Sequence, residues 1–195
     1  MSDASWSGEV FERLYAGNPD PWGFESSDYE RAKYAETLAA LEGRRFRSAL
    51  ELGCSIGVMS VALAGQCDRL LGVDIAEGAL VLARTRCAGL AHVQFQRGQL
   101  PEGFPELEPG SCDLVLVSEL LYFLSPEDIG RLARHVLQVV SDDGAILVVN
   151  WTGETDTPCT GDQAAGLFVA ACEAAGFMIK VALRRDGYRL ERLGR

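Results

Sequence analysis

Histidine is scarce in this 195-residue chain, which has only His92 and His135. Neither stands beside a cysteine or carboxylate cluster, which argues against a protein-bound metal such as zinc. Positive charge is also in deficit, with 18 Lys and Arg against 28 Asp and Glu and a net charge of -10. A nucleic-acid partner is disfavoured, since proteins that grip a phosphate backbone carry a basic face. Arg44, Arg45 and Arg47 form the densest basic cluster, and three arginines ahead of a strand read as a solvated helix end. No apolar run reaches the ~18–20 residues of a membrane span, so no membrane association is expected. The six cysteines (54, 67, 87, 112, 159 and 172) include no C-x-x-C pair and sit mostly in apolar stretches. With no secretory apolar segment after Met1, they point to a reduced cytoplasm rather than a disulfide framework.

What is present is one domain's worth of alternating pattern. Short apolar runs at 48–52, 69–74, 92–96, 112–118 and 145–149 read as strands. Helical stretches at 58–64, 77–87, from Pro126 onward and at 162–175 alternate with them. Ser125-Pro126-Glu127-Asp128 carries an N-cap, a first-turn proline and two acids. Asp143-Gly144 is expected to turn the chain into the fifth strand. The tail fits two strands, 177–183 and 187–193, joined at Arg184-Arg185-Asp186-Gly187. Strand–helix alternation predicts an α/β fold with an open, mainly parallel sheet and right-handed crossovers. Ligands in such sheets bind at the carboxyl ends of the strands, here Gly53, Asp74, Gly98 and Ser118. Before residue 47 come two predicted helices, 5–16 and 28–41, around Pro21-Trp22-Gly23-Phe24.

The stretch ELGCSIG, residues 51–57, admits two chemistries. GCSIG matches the G-x-S-x-G elbow of serine hydrolases, with Ser55 as nucleophile. That fold needs a histidine late in the chain and strands before the serine. Here no histidine follows residue 135, and only helices precede Ser48. The other reading is a glycine turn holding a nucleoside, followed about 20 residues later by an acid for ribose hydroxyls, here Asp74. Glu51 beside the turn would repel a pyrophosphate and suits a cationic ligand. S-adenosyl-L-methionine, with its sulfonium and ammonium, is such a nucleoside.

ELGCSIG, LLGVDI and DLVLVSELLYFL resemble motifs of class I S-adenosylmethionine-dependent methyltransferases. NPDPWGFESSDYERAKYAETLAAL and NWTGETDTP narrow the resemblance to the NodS family, rhizobial Nod-factor N-methyltransferases and their bacterial relatives. It runs from about Tyr15 to Gly161. The resemblance implies a Rossmann-like three-layer sandwich, with a seven-stranded, mainly parallel sheet whose last strand is antiparallel. It divides the chain into a helical lid (1–46) and a cofactor-binding core (47–195). Glu51, Gly53, Cys54 and Gly57 would surround the methionine part of the cofactor. Asp74 would hold the ribose, with Ile75 against the adenine. Gly98-Gln99-Leu100 stands where the family often has an acid, so the Gln99 amide would serve. Ser55 replaces the middle glycine of the turn, as in NodS-like proteins.

Ser118-Glu119-Leu120-Leu121-Tyr122 ends the fourth strand, which in this fold faces the methyl group. Glu119 and Tyr122 are the candidates for orienting a methyl acceptor or taking its proton. Trp22, Phe24, Tyr29, Lys33 and Tyr34 read as a lid over the adenosine, with Lys33 toward the cofactor carboxylate. Trp151 is placed to stack on a substrate sugar. The expected partner is a small-molecule acceptor, by resemblance an amine on a sugar or oligosaccharide, bound by a monomer or homodimer. An O-methyltransferase, a non-catalytic nucleoside-binding protein and the Ser55 hydrolase stand as alternatives.

Overall fold

A computed structural model describes residues 4–195; the first three residues of the expected lid lie outside the described residues. Seven strands form one sheet in the order β3-β2-β1-β4-β5-β7-β6. They are β1 (Ala49–Leu52), β2 (Leu70–Asp74), β3 (Val93–Arg97), β4 (Cys112–Ser118), β5 (Val140–Trp151), β6 (Met178–Arg185) and β7 (Tyr188–Gly194). The first five pair in parallel, and β7 runs antiparallel between β5 and β6. Six α-helices among the described residues accompany them: α1 (Gly8–Gly17), α2 (Asp28–Ala39), α3 (Val58–Ala64), α4 (Glu77–Arg86), α5 (Pro126–Val139) and α6 (Gly161–Ala174).

The side-chain period of two divides β4 between two cores. Val115 and Val117 join Leu50, Leu52, Ile146 and Val148 under α5 and α6. Leu114 and Leu116 join Ala49, Leu70, Leu147 and Val149 with Met59 and Leu63 of α3 on the other face. A strand buried on both faces needs the unbroken apolar run that β4 has. A third, smaller cluster sits at one end of the sheet, where Phe11 and Tyr15 of α1 meet Ile56, Ala76 and Ala79.

Helix ends follow local chemistry. Ser125 caps α5 by accepting from Asp128 N, and Thr160 and Gln163 form a reciprocal capping box on α6. The expected turn at Asp143-Gly144 takes a different form. β5 begins at Val140, and residues 141–144 bulge out where its register against β4 shifts from Cys112↔Val140 to Leu114↔Ala145. Gly144 allows that bulge, because a Cβ there would lie 2.7 Å from Val140 Cγ2. The basic cluster is solvent-exposed, as expected, and makes surface contacts: Arg45 pairs with Asp68, Arg47 with Asp113, and Arg44 donates to Asp143 O. No helix among the described residues is long and apolar enough to cross a membrane.

Gly57 belongs to this packing. It is the N-cap of α3 with φ +77, and a Cβ there would stand 3.0 Å from both Cα and Cβ of Ala83 on α4. Both the left-handed backbone and the α3–α4 approach therefore exclude a side chain. Gly57→Ala should destabilise the ligand-free protein by at least ~1–3 kcal/mol, read by urea unfolding. An unchanged midpoint would mean that the glycine does not serve packing.

Candidate active site

A cleft of about 610 Å³ opens along the carboxyl ends of the strands, roofed by the two N-terminal helices. Its floor comes from Gly53, Ser55, Val73, Asp74 and Gly98, and farther along from Glu119, Leu120 and Trp151. Because β1 lies between β2 and β4, Asp74 and Glu119 stand two strands apart, with Trp151 one strand farther.

Asp74 is held by backbone donors. Its Oδ1 accepts from Ala76 N at 3.0 Å and its Oδ2 from Ser55 N at 2.8 Å. An ionised carboxylate takes up to four hydrogen bonds, so with three N–H groups beside it at least one acceptor position stays open. Burial raises the carboxyl above its ordinary range, while the N–H groups of Ala76, Ser55 and Ile75 hold it down. Gly53 makes the turn beside it with φ +82. A Cβ on Gly53 would lie 2.9 Å from Ser118 O and 3.3 Å from Leu120 Cβ. The glycine thus serves the close passage of the chain leaving β4 as much as the cleft.

The other residues expected around the cofactor divide into two groups. Ile75, Leu100, Trp22, Tyr29 and Lys33 line the cleft together with Gly53 and Asp74. Glu51, Cys54 and Gly57 lie beneath the turn instead. Glu51 is 1% exposed and accepts from Ser60 Oγ at 2.5 Å. Cys54 is buried, its N–H bonded to Val73 O. The Ser118 carbonyl packs closely against Gly53, and Gln99 is exposed beside Gly8 of α1, away from the cleft floor.

Lys33 also differs from expectation. Rather than a free cation, it is 2% exposed and donates to Glu30 Oε1 at 3.0 Å and Glu119 Oε1 at 2.6 Å. Glu119 in turn accepts from Tyr122 Oη and from Trp151 N, both at 2.9 Å onto Oε2. Three donors hold its side chain, and its backbone is left-handed at φ +52. A non-glycine residue keeps that conformation only where its surroundings over-determine it. Burial and then the charge of Glu119 raise the Tyr122 phenol well above its ordinary range, so it stays protonated. Tyr29 packs edge-on to Trp151 and to Tyr188, with ring centroids 5.9 Å apart in each pair.

Ser55 is not poised for hydrolysis. Its Oγ shares a 2.5 Å hydrogen bond with Tyr15 Oη. His92 bonds Ala64 O and His135 stacks on Phe104, both on a separate groove at the amino-terminal side of the sheet. The sequence reading missed Tyr15, Glu30 and the loop of Glu154, Thr155, Asp156 and Thr157, all of which line the cleft. A signal existed for Tyr15, since Phe11 and Tyr15 share a helix face at i, i+4.

This sheet order, with a glycine turn after β1 and an acid ending β2 on a common cleft, defines the class I S-adenosylmethionine-dependent methyltransferase fold. The family model described as nodulation protein S (NodS) matches residues 9–155, and the chain belongs to the NodS family. Nodulation protein S of Bradyrhizobium diazoefficiens is 34% identical over 141 residues, 68% of this chain and 61% of that relative. A Pseudomonas syringae crystal structure described as a candidate methyltransferase is 32% identical, with a TM-score of 0.73, covering 86% of this chain and 99% of that one. The N-methyltransferase NodS of Bradyrhizobium japonicum WM9, solved with S-adenosyl-L-homocysteine, has a TM-score of 0.79 at 20% identity. That match covers 95% of this chain and 96% of the other. This chain therefore spans only about three fifths of its Bradyrhizobium diazoefficiens relative.

Two stability effects follow from the buried charges. Burial, then the charge of Asp74, raises the Glu51 carboxyl from 4.5 to about 7, against the opposing Ser60 hydrogen bond. The unfolded chain ionises first as pH rises, so the group costs stability progressively between about pH 4.5 and about pH 7. Glu51→Gln should stabilise the ligand-free protein by ~2–3 kcal/mol at pH 8 and by little at pH 4.5. Equal gains at both pH values would rule out this account. Lys33→Met leaves two carboxylates without their shared cation, and should cost ~3–5 kcal/mol in urea unfolding. No loss would show that Lys33 is free to serve a ligand.

Proposed function

We propose that the chain is an S-adenosylmethionine-dependent methyltransferase whose acceptor is an amine on a small molecule, such as an aminosugar or a short oligosaccharide. The observation that carries this reading is Asp74. It is a carboxylate held by backbone N–H groups with acceptor capacity left over, at the end of β2 and on the cleft. Such a group suits the paired hydroxyls of a ribose. The apolar neighbours Ile75, Leu100, Trp6 and Phe11 suit the faces of an adenine without adding charge. When bound, S-adenosylmethionine supplies an electrophilic methyl group on its sulfonium.

The acceptor half is acidic. Glu30, Glu119, Glu154 and Asp156 line it against Lys33, the one cation among the described lining residues, a balance that attracts an ammonium more than a neutral alcohol. Tyr122 Oη spends its proton on Glu119 Oε2, so its lone pairs are available to an acceptor N–H. It therefore orients the amine, and the fixed Glu119 carboxylate stabilises positive charge beside it. Trp151 and Tyr29 offer the aromatic surface on which a sugar ring stacks. Trp22 and Phe24 line the cofactor half, where they would shield a bound cofactor from water. Proximity and orientation in such a drained site supply much of the rate, ~7–11 kcal/mol in favourable cases. The six unpaired, buried cysteines fit a reducing compartment, which favours the cytoplasm.

Calorimetry with S-adenosylhomocysteine, followed by transfer of labelled methyl to aminosugars, deacetylated chito-oligosaccharides, small amines and hydroxylated analogues, tests the assignment. Asp74→Ala should weaken S-adenosylhomocysteine binding roughly 10- to 100-fold, since hydrogen bonds to a charged group contribute ~1.5–3 kcal/mol each. Failure of the wild-type protein to bind it defeats the reading. Transfer to hydroxyl acceptors alone returns the O-methyltransferase alternative.

A further inference from the structure

Helix α1 touches the cofactor half of the cleft at three successive points of one face. A Cβ on Gly8 would stand 3.3 Å from Ile75 Cγ1. Glu12 accepts from Glu77 N at 2.9 Å and so caps α4. Tyr15 Oη meets Ser55 Oγ at 2.5 Å. The spacings of four and three residues place all three on one side of the helix.

The third contact differs from the others, because its partner belongs to the carboxylate site. Ser55 bonds Tyr15 through its hydroxyl and Asp74 through its backbone N–H. It does so with a left-handed backbone at φ +47, which glycine would adopt without strain but also without a hydroxyl. Burial, and then the charge of Asp74, raises the Tyr15 phenol above its ordinary range, so the contact joins two neutral hydroxyls at any moderate pH. Tyr15 also packs edge-on to Trp22, with centroids 5.6 Å apart, and Trp22 packs on Phe24. The aromatic cover of the cleft thus leans on the residue that Ser55 holds.

We propose that Tyr15 and Ser55 form a latch that couples a ligand on Asp74 to the seating of α1, and so sets how long the cofactor and its product remain bound. This rests on the cofactor reading above. A ligand on Asp74 steadies the carboxylate and with it the Ser55 backbone. Release requires α1 to leave Ile75, and α1 cannot leave while the hydroxyl pair is intact. Tyr15 and Ser55 are positioning residues in this scheme and take no part in the transfer.

Two measurements on Tyr15→Phe, Ser55→Ala and the double variant decide it. The first is hydrogen exchange of the α1 amides in ligand-free protein, which does not depend on the identity of the cofactor. Each single variant should exchange roughly three- to tenfold faster, as loss of one hydrogen bond implies, and the double variant no faster than either. The second is the S-adenosylhomocysteine release rate, read from tryptophan fluorescence; that rate should rise by a similar factor. Unchanged α1 exchange overturns the latch, as does a double variant whose effects simply multiply. Faster exchange with wild-type release also overturns it, because α1 would then be anchored without controlling the ligand. A wild-type chain that takes up no S-adenosylhomocysteine defeats the cofactor reading, and the exchange data still judge the contact between α1 and the turn.

Discussion

The arrangement of the cleft depends on the hydrogen bonds that fix Asp74. Ser55 N and Ala76 N both donate to its carboxylate, so the turn after β1, the end of β2 and the start of α4 share one anchor. A carboxylate this deeply buried would be costly without such donors. With them it stays in place on the wall of the cleft. Gly53 makes the geometry available, since only a residue without Cβ passes Ser118 O so closely with φ +82.

Around that anchor the molecule separates two kinds of charge. On the β2 side a single carboxylate faces apolar and aromatic neighbours, a setting for a nucleoside. On the β4 side Glu119 gathers donors from α2, from the turn after β4 and from the end of β5. Lys33 ties the roof to the floor there. Its burial between Glu30 and Glu119 makes α2 part of the site's electrostatics rather than a loose cover. An ion pair held this far from water is costly to break on either side.

Strand and helix positions were largely legible in the sequence, because β4 and its neighbours are short apolar runs between well-signalled helix ends. The 112–118 strand and the 58–64 helix fall where the pattern places them. The bulge at residues 141–144 was not legible. Asp143-Gly144 marks a reversal equally well whether the chain leaves the sheet or merely loops out of one strand. Glu51 misled for a related reason. A carboxylate beside a glycine turn reads as a ligand contact, yet the strand's alternation points it down toward Ser60.

The sequence by itself determined the class of sheet, the edge along which the cleft opens, and the acid that ends the second strand on that edge. Those features are local, set by apolar period, glycine placement and the spacing between strand ends. Only the tertiary structure decided which polar atoms meet. Tyr15 stands 40 residues from Ser55, and Lys33 stands 86 from Glu119. No periodicity encodes such pairings. They arise because α1 and α2 fold back over the carboxyl ends of the strands, which brings Tyr15 onto Ser55 and Lys33 between Glu30 and Glu119.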